Sequence, residues 1–325
     1  MAASELFVIH QGALGDFVAI FPALLELKRY YKPIEVLCQN QLGVLAKELG
    51  IVERYYPQEG ALAASLFADQ IEPKMVKLLK SFAAIVLFSN SSQLQQIVLH
   101  ATGNPWYRIP SKPPAQKRIH VTEFALNNLV EQGLLSKADL NPTSTIERHL
   151  REDVNHQTRN SKKILLHPGA GSLRKRWPLP LFINIESMLK SNALEPEFIV
   201  GPAEQDLVKT LLDPQHPDRT VHALIEIMDL LALLKSAGGY IGNDSGVSHL
   251  AAFLGLPTTV IFGPADPGRW KPLGRAVEVV RPRLECQPCF ETQKENCEDP
   301  RCLKDTLPEI VMDAFYHVYN MKLSY

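Results

Sequence analysis

The chain has 325 residues, 46% of them hydrophobic and 21% charged, with a formal net charge of −1. That length supplies sizeable cores and suggests two domains, and the near-neutral balance sets up no global field for nucleic acid, so an anionic ligand must be recognised locally. No apolar run approaches the ~20 residues of a membrane span, and Met1-Ala-Ala-Ser-Glu5 has no basic segment leading into an apolar stretch, so no secretory leader is expected and the cytoplasm is the expected location.

Glu5–His10 is a short apolar run, Gln11-Gly-Ala-Leu-Gly-Asp16 a glycine turn, and Phe17–Tyr31 a helical pattern. Strand, glycine turn and helix in that order open a parallel α/β unit. Ile34–Cys38 reads as the next strand, Leu42–Leu49 as a helix, Ala83–Phe88 as a buried strand and Val121–Gln132 as a helix. Residues 141–162 are polar without an apolar period and read as a connection, which predicts domains over 1–155 and 156–325. A second series follows. Lys163–His167, Glu197–Val200, Tyr240–Gly242 and Thr258–Phe262 are strands; Phe182–Lys190, Glu204–Leu212, Ile225–Ser236 and Val247–Leu254 are helices. Leu307–Met321 is a closing helix, with a return onto the first domain left open. Such alternation implies parallel sheets covered on both faces, a cleft between the two domains, and ligands outside the carboxyl ends of the strands.

Three motifs sit at such ends. The first is His167-Pro-Gly-Ala-Gly-Ser172, followed by Leu-Arg-Lys175-Arg-Trp177-Pro178. Gly169 and Gly171 permit close approach of a ligand, Pro178 suits a helix start, and backbone N–H groups at a helix N-terminus make an anion site to which Lys175 adds charge. The same residues also describe an ordinary βα loop with solvated basic side chains. The second is Gly242-Asn-Asp244-Ser245-Gly246-Val-Ser-His249, ending at Gly255 and Pro257. Asp244 or Ser245 serves as a helix cap, Gly246 admits a phosphate, and His249 in the first turn is expected to be a neutral donor or acceptor. The third, Phe262-Gly-Pro-Ala-Asp-Pro-Gly-Arg-Trp270, is on its own a turn-rich loop.

In combination and in this order, the three blocks resemble the C-terminal domain of the heptosyltransferases, glycosyltransferases that use ADP-heptose to build the lipopolysaccharide inner core. Gly12-Ala-Leu-Gly-Asp16 with Pro22-Ala-Leu24 resembles the family's N-terminal block, while residues 40–160 resemble it in layout alone. The resemblance implies the GT-B architecture, two Rossmann-like domains whose parallel sheets face a central cleft, with the donor nucleotide on the second. It maps the lysine that contacts the diphosphate and the sugar onto Lys175, and the phosphate and sugar block onto Asp244, Ser245, Gly246 and His249. His167, Gly169, Gly171 and Ser172 belong to the same donor loop. The acidic residue for the ribose maps onto Glu204, with Asp206 as its rival.

By the same resemblance Asp16 is the general base of an inverting transfer, where a carboxylate takes the acceptor hydroxyl's proton and tolerates an oxocarbenium-like centre. Its plainer role is a helix N-cap before Phe17. Stabilisation of the leaving diphosphate falls to Lys175 and helix-terminal N–H groups. No two aspartates are separated by one residue, so a metal held by an Asp-x-Asp pair is not expected and the chemistry requires no cofactor beyond the sugar nucleotide, itself the donor substrate. Cys286, Cys289, Cys297 and Cys302 could hold a structural zinc, but spacings of seven and four are not common zinc patterns, and a local structural role is the preferred reading. Arg108, Lys112, Lys117 and Arg118 could meet a lipid-linked saccharide acceptor, although a basic stretch is more often a solvated loop. The expected partners are a nucleotide sugar and that acceptor, with transient contact at the inner face of the cytoplasmic membrane, no nucleic acid, and a monomeric chain. The alternatives are a non-catalytic nucleotide-sugar-binding protein and a sugar-nucleotide epimerase on the same scaffold.

Overall fold

Strand β1 (Ser4–His10) carries Leu6-Phe-Val-Ile9, all fully buried. A strand apolar on both faces belongs inside a parallel sheet with helices on each side. In the computed structural model, which describes residues 4–67, 71–90, 96, 102–137, 140–152, 160–292 and 297–321, that is where it lies. The chain divides into two units, Met1–Thr145 and Ile146–Tyr325.

The first unit is built on a parallel sheet ordered β3-β2-β1-β4-β5, with β2 Tyr31–Cys38, β3 Arg54–Pro57, β4 Ala84–Phe88 and β5 Trp106–Ile109. Phe7, Ile9, Leu37, Ile85 and Leu87 form one core with Met75 and Leu79, which are spaced one helical turn apart on helix Pro73–Lys80. The helix expected over Phe17–Tyr31 is two helices, Leu14–Ala19 and Phe21–Leu27. Pro22 explains the division: it has no N–H to give to the preceding turn, and it fits only in the first turn of a new helix.

The second unit has a parallel sheet ordered β11-β10-β9-β6-β7-β8. Its strands are β6 Asn160–His167, β7 Glu195–Val200, β8 Thr220–Ala223, β9 Ala237–Asn243, β10 Thr258–Ile261 and β11 Val277–Val280. Ile164, Leu166, Phe198, Ile241 and Ile261 share a core with Phe182, Ile185 and Leu189 of helix Leu179–Ser191 and with Val311, Met312 and Phe315 of the closing helix Pro308–Met321. The closing helix thus packs beneath the second sheet. Phe315 fills the space left by Gly239, where a Cβ would come within 2.8 Å of its ring.

The polar stretch read as a connection contains a helix, Pro142–Glu152. Asn141 Oδ1 accepts from the Ser144 N–H at 3.1 Å, Pro142 supplies a pre-set first-turn φ, and His149 packs on Phe253. One buried apolar side chain, Ile146, is too little to show a period in the sequence. The rest of that stretch before β6, residues 153–159, lies outside the described residues.

Candidate active site

In each sheet the strand order reverses beside the first strand of the unit. The chain runs β6, β7, β8 to one side and then returns to β9, β10, β11 on the other, so the reversal falls between β6 and β9. Their carboxyl ends are adjacent, His167 lying in register with Gly242. A crevice at such a point is where open α/β sheets bind ligands. The first two of the three motifs leave the sheet here.

A single side chain ties them together. Asn243, fully buried at the end of β9, accepts from the Trp177 N–H at 3.1 Å and donates through Nδ2 to the carbonyls of Pro168 at 2.9 Å and Gly169 at 3.3 Å. Next to it, Lys175 Nζ stands 2.8 Å from Asp244 Oδ2, and Ser245 Oγ lies 3.3 Å from His167 Nδ1. Ser245 is the cap of helix Gly246–Phe253, its hydroxyl accepting from the Ser248 N–H. That cap orients the free N–H groups of the first helical turn, the half of the macrodipole that attracts anions. His249 is buried within the helix, and Gly255 ends it with φ +74°. On the facing loop Ser172 accepts from the Arg174 N–H, and nothing lies within 4 Å of where a Cβ on Gly171 would be, so that backbone is open to a ligand.

Glu204, buried, accepts from the Gly201 N–H at 2.9 Å and lies 3.9 Å from His167 Nε2 and 3.7 Å from Arg176 Nη2. Burial by itself would raise its carboxyl, but the His167 imidazole, the Gly201 N–H and the Arg176 guanidinium outweigh burial and hold it below the usual carboxylate range. Gly169 is where it is because of this carboxylate: a Cβ there would fall 2.4 Å from Glu204 Cδ and Oε1. Asp206, the rival, is exposed and bound by Arg176 at 2.8 Å, on the outer side of the same cluster.

In the first unit the reversal of strand order falls between β1 and β4, and His10 is in register with Phe88 at their ends. His10 is buried, packed on Phe17, and burial pushes its pKa down to about 3, so the ring is neutral. Its Nδ1 accepts from the Gly12 N–H at 3.3 Å, which places the ring proton on Nε2. Asp16 follows, half-buried. It does not cap the helix: the cap position is Ala13, and Asp16 lies inside the first turn. Gly12 makes room for both side chains, since a Cβ there would be 2.7 Å from His10 Cε1 and 2.8 Å from Asp16 Cβ. Of the basic residues suggested for the acceptor, Arg108 is on edge strand β5 with its carbonyl accepting from Gln132 Nε2, while Lys117 and Arg118 are exposed.

The four late cysteines are free thiols around one open cavity of about 1060 Å³, shared with Arg174, Arg176 and Arg283. Burial raises the Cys302 thiol, partly offset by Arg281. Among the described residues no set of three or more His, Cys, Asp or Glu is placed to hold a metal ion, so a tetrahedral zinc set is not formed there.

Sequence reasoning did not single out Asn243, Tyr240, Ser248 or Glu291. Asn243 and Ser248 lie within the second motif, where neighbours with plainer chemistry drew the attention. Buried Tyr240, whose hydroxyl is 3.0 Å from Ser248 Oγ, extends a polar chain through Ser248 and Ser245 to His167. Its position in a glycine-rich strand gave no signal.

The family model of glycosyltransferase family 9 (heptosyltransferase) matches residues 108–298. The chain belongs to that family. It is therefore a glycosyltransferase. It is 26% identical over 318 residues to lipooligosaccharide heptosyltransferase 2 of Campylobacter jejuni, spanning 95% of this chain and 96% of the relative. Among solved structures it resembles the E. coli heptosyltransferase WaaC with ADP, at a TM-score of 0.73 and 16% identity over 97% of this chain and 99% of that one. The E. coli ADP-heptose lps heptosyltransferase II matches at a TM-score of 0.70 and 16% identity, over 98% and 99%. The expected architecture of two parallel α/β units is the one these structures share. Among the described residues no helix is long and apolar enough to cross a membrane.

Proposed function

We propose that this glycosyltransferase moves heptose from ADP-heptose to a lipopolysaccharide inner-core acceptor, with inversion at the anomeric carbon and without a metal in the chemical step. The observation that carries the reading is the joining of two helix entrances by Asn243 at the second sheet's reversal point, with Lys175 beside them. A diphosphate is the ligand that suits free N–H groups, a helix N-terminus and one ammonium in the same crevice. The sugar and the acceptor come from the relatives: the E. coli structures are described with ADP and as an ADP-heptose lps heptosyltransferase.

In this scheme Glu204, kept ionised by its neighbours, accepts from the ribose hydroxyls. Lys175 and the N–H groups ahead of Gly246–Phe253 take up the charge that develops on the leaving diphosphate as the anomeric C–O bond breaks. Asp16 removes the proton from the acceptor hydroxyl as its oxygen attacks from the opposite side. Arg108, Lys117 and Arg118 are proposed contacts for acceptor phosphates. A lipid-linked acceptor confines the reaction to a surface, so the proposal includes transient contact of a monomeric chain with the inner face of the cytoplasmic membrane.

The test is incubation with ADP-heptose and a core-truncated lipopolysaccharide. Heptose transfer with release of ADP, and the inverted anomer by NMR, is the expected result. Binding of ADP-heptose without transfer would replace this reading with the binding-protein alternative, alteration of the donor in the absence of any acceptor would replace it with the epimerase, and failure to bind ADP would remove the donor site itself.

A further inference from the structure

We propose that Phe290 is a positioning residue for Lys175, delivered to it by the loop after β10. The inference rests on the reading that Lys175 meets the donor diphosphate. A lysine ammonium on a four-carbon stem is a mobile point charge, and its use against a leaving group depends on what restricts it. Here two groups do so. Asp244 Oδ2 stands 2.8 Å from Nζ, and the Phe290 ring centroid is 4.4 Å from the same nitrogen. The π-face attracts the ammonium without neutralising it and makes no hydrogen bond, so its donor protons stay available to phosphate oxygens. Arg174 also lies over this ring, its guanidinium carbon 5.4 Å from the centroid.

Phe290 comes from a segment more than a hundred residues further along the chain, and three consecutive residues fasten that segment in place. The backbone N–H groups of Cys289 and Phe290 both donate to the Pro264 carbonyl, at 2.9 and 3.0 Å. The Glu291 carboxylate pairs with Arg269, Oε2 at 2.6 Å from Nε and Oε1 at 3.2 Å from Nη2, and Arg269 is buried. The ring itself packs against Val260, Phe262 and Ala265. Pro264, Ala265 and Arg269 all belong to Phe262–Trp270, the third sequence motif. Its function on this account is to dock residues 289–291 so that an aromatic face closes one side of the lysine's range.

The experiment measures ADP binding to the full chain by titration calorimetry for wild type, K175M, F290L, F290Y and the K175M/F290L pair. K175M is expected to weaken binding at least tenfold. F290L, which keeps the apolar contacts and loses the π-face, is expected to weaken it about three- to tenfold with a melting temperature close to wild type. F290Y should stay within about twofold of wild type, and the double variant should bind like K175M alone, because the ring acts through the lysine. Wild-type binding by F290L, loss by F290Y equal to that of F290L, or multiplying effects in the double variant would each overturn the positioning role while leaving the donor site intact. Unchanged binding by K175M would remove the donor-site reading and this inference with it.

Discussion

Replacing Asn243 with alanine tests whether the two donor loops are held as one unit. The side chain is fully buried and satisfies three backbone groups: the Trp177 N–H at 3.1 Å and the carbonyls of Pro168 at 2.9 Å and Gly169 at 3.3 Å. Alanine makes none of these bonds. Each orphaned buried group costs about 1–3 kcal/mol. Gly169 keeps the weakest of the three bonds, so two groups dominate, and the loss is about 3 kcal/mol. At 1.4 kcal/mol per decade that is roughly a hundredfold shift in the local opening equilibrium. The assay is amide hydrogen exchange on a peptide covering 168–177, together with ADP titration. Expected are exchange of the Trp177 amide faster by about two decades and ADP binding weaker by tenfold or more, although Asn243 is assigned no contact with the nucleotide. Unaltered exchange of this peptide would show that the loops are held independently, and the claim that they form one site would fail.

D16A should lower transfer by about 10²–10⁴-fold, the range of a lost general base, and leave ADP affinity within about twofold; unimpaired transfer removes the base assignment. The pH dependence of stability should carry a signature of His10. Its native pKa is lowered to about 3, so as pH falls below the unfolded value of about 6.5 the unfolded chain takes up a proton that the native state refuses. Between pH 6.5 and 5 this amounts to about 2 kcal/mol of lost stability, and urea titrations should show H10Q losing that much less than wild type; equal losses would refute it. G169A should lower the denaturation midpoint by about 1–3 kcal/mol of stability, because its methyl would lie 2.4 Å from the Glu204 carboxyl and the Gly201 hydrogen bond must break to make room. A midpoint unchanged from wild type would mean that Glu204 is not fixed there.

The strands visible in the sequence divide by position in the sheets. β1, β2 and β4 of the first unit and β6, β7, β9 and β10 of the second are all interior, and each was expected within a few residues. Among the described residues, the four strands not anticipated, β3, β5, β8 and β11, are the ones at the sheet edges. An interior parallel strand is apolar on both faces and stands out as a run, as in Ala84–Phe88. An edge strand such as Arg54–Pro57 or Thr220–Ala223 is short and half-covered, and its composition matches that of a loop. The same division holds at the site. Glycines, Lys175, Asp244 and Ser245 were legible because their residue types suit phosphate chemistry at a helix entrance. Asn243 and Phe290 were not, because their significance depends on what folding brings beside them: an amide between two loops, and a ring over an ammonium from a different stretch of chain.

The placement of the last helix governs how the protein can be cut. Val311, Met312 and Phe315 are core residues of the second sheet, and Phe315 occupies the hollow above Gly239. A fragment ending before Pro308 would uncover a sheet face and forfeit about 1.5–3 kcal/mol for each of those side chains. A downstream piece made for separate expression must therefore be carried through Met321; trimming the tail as dispensable would leave that apolar face open and yield aggregates.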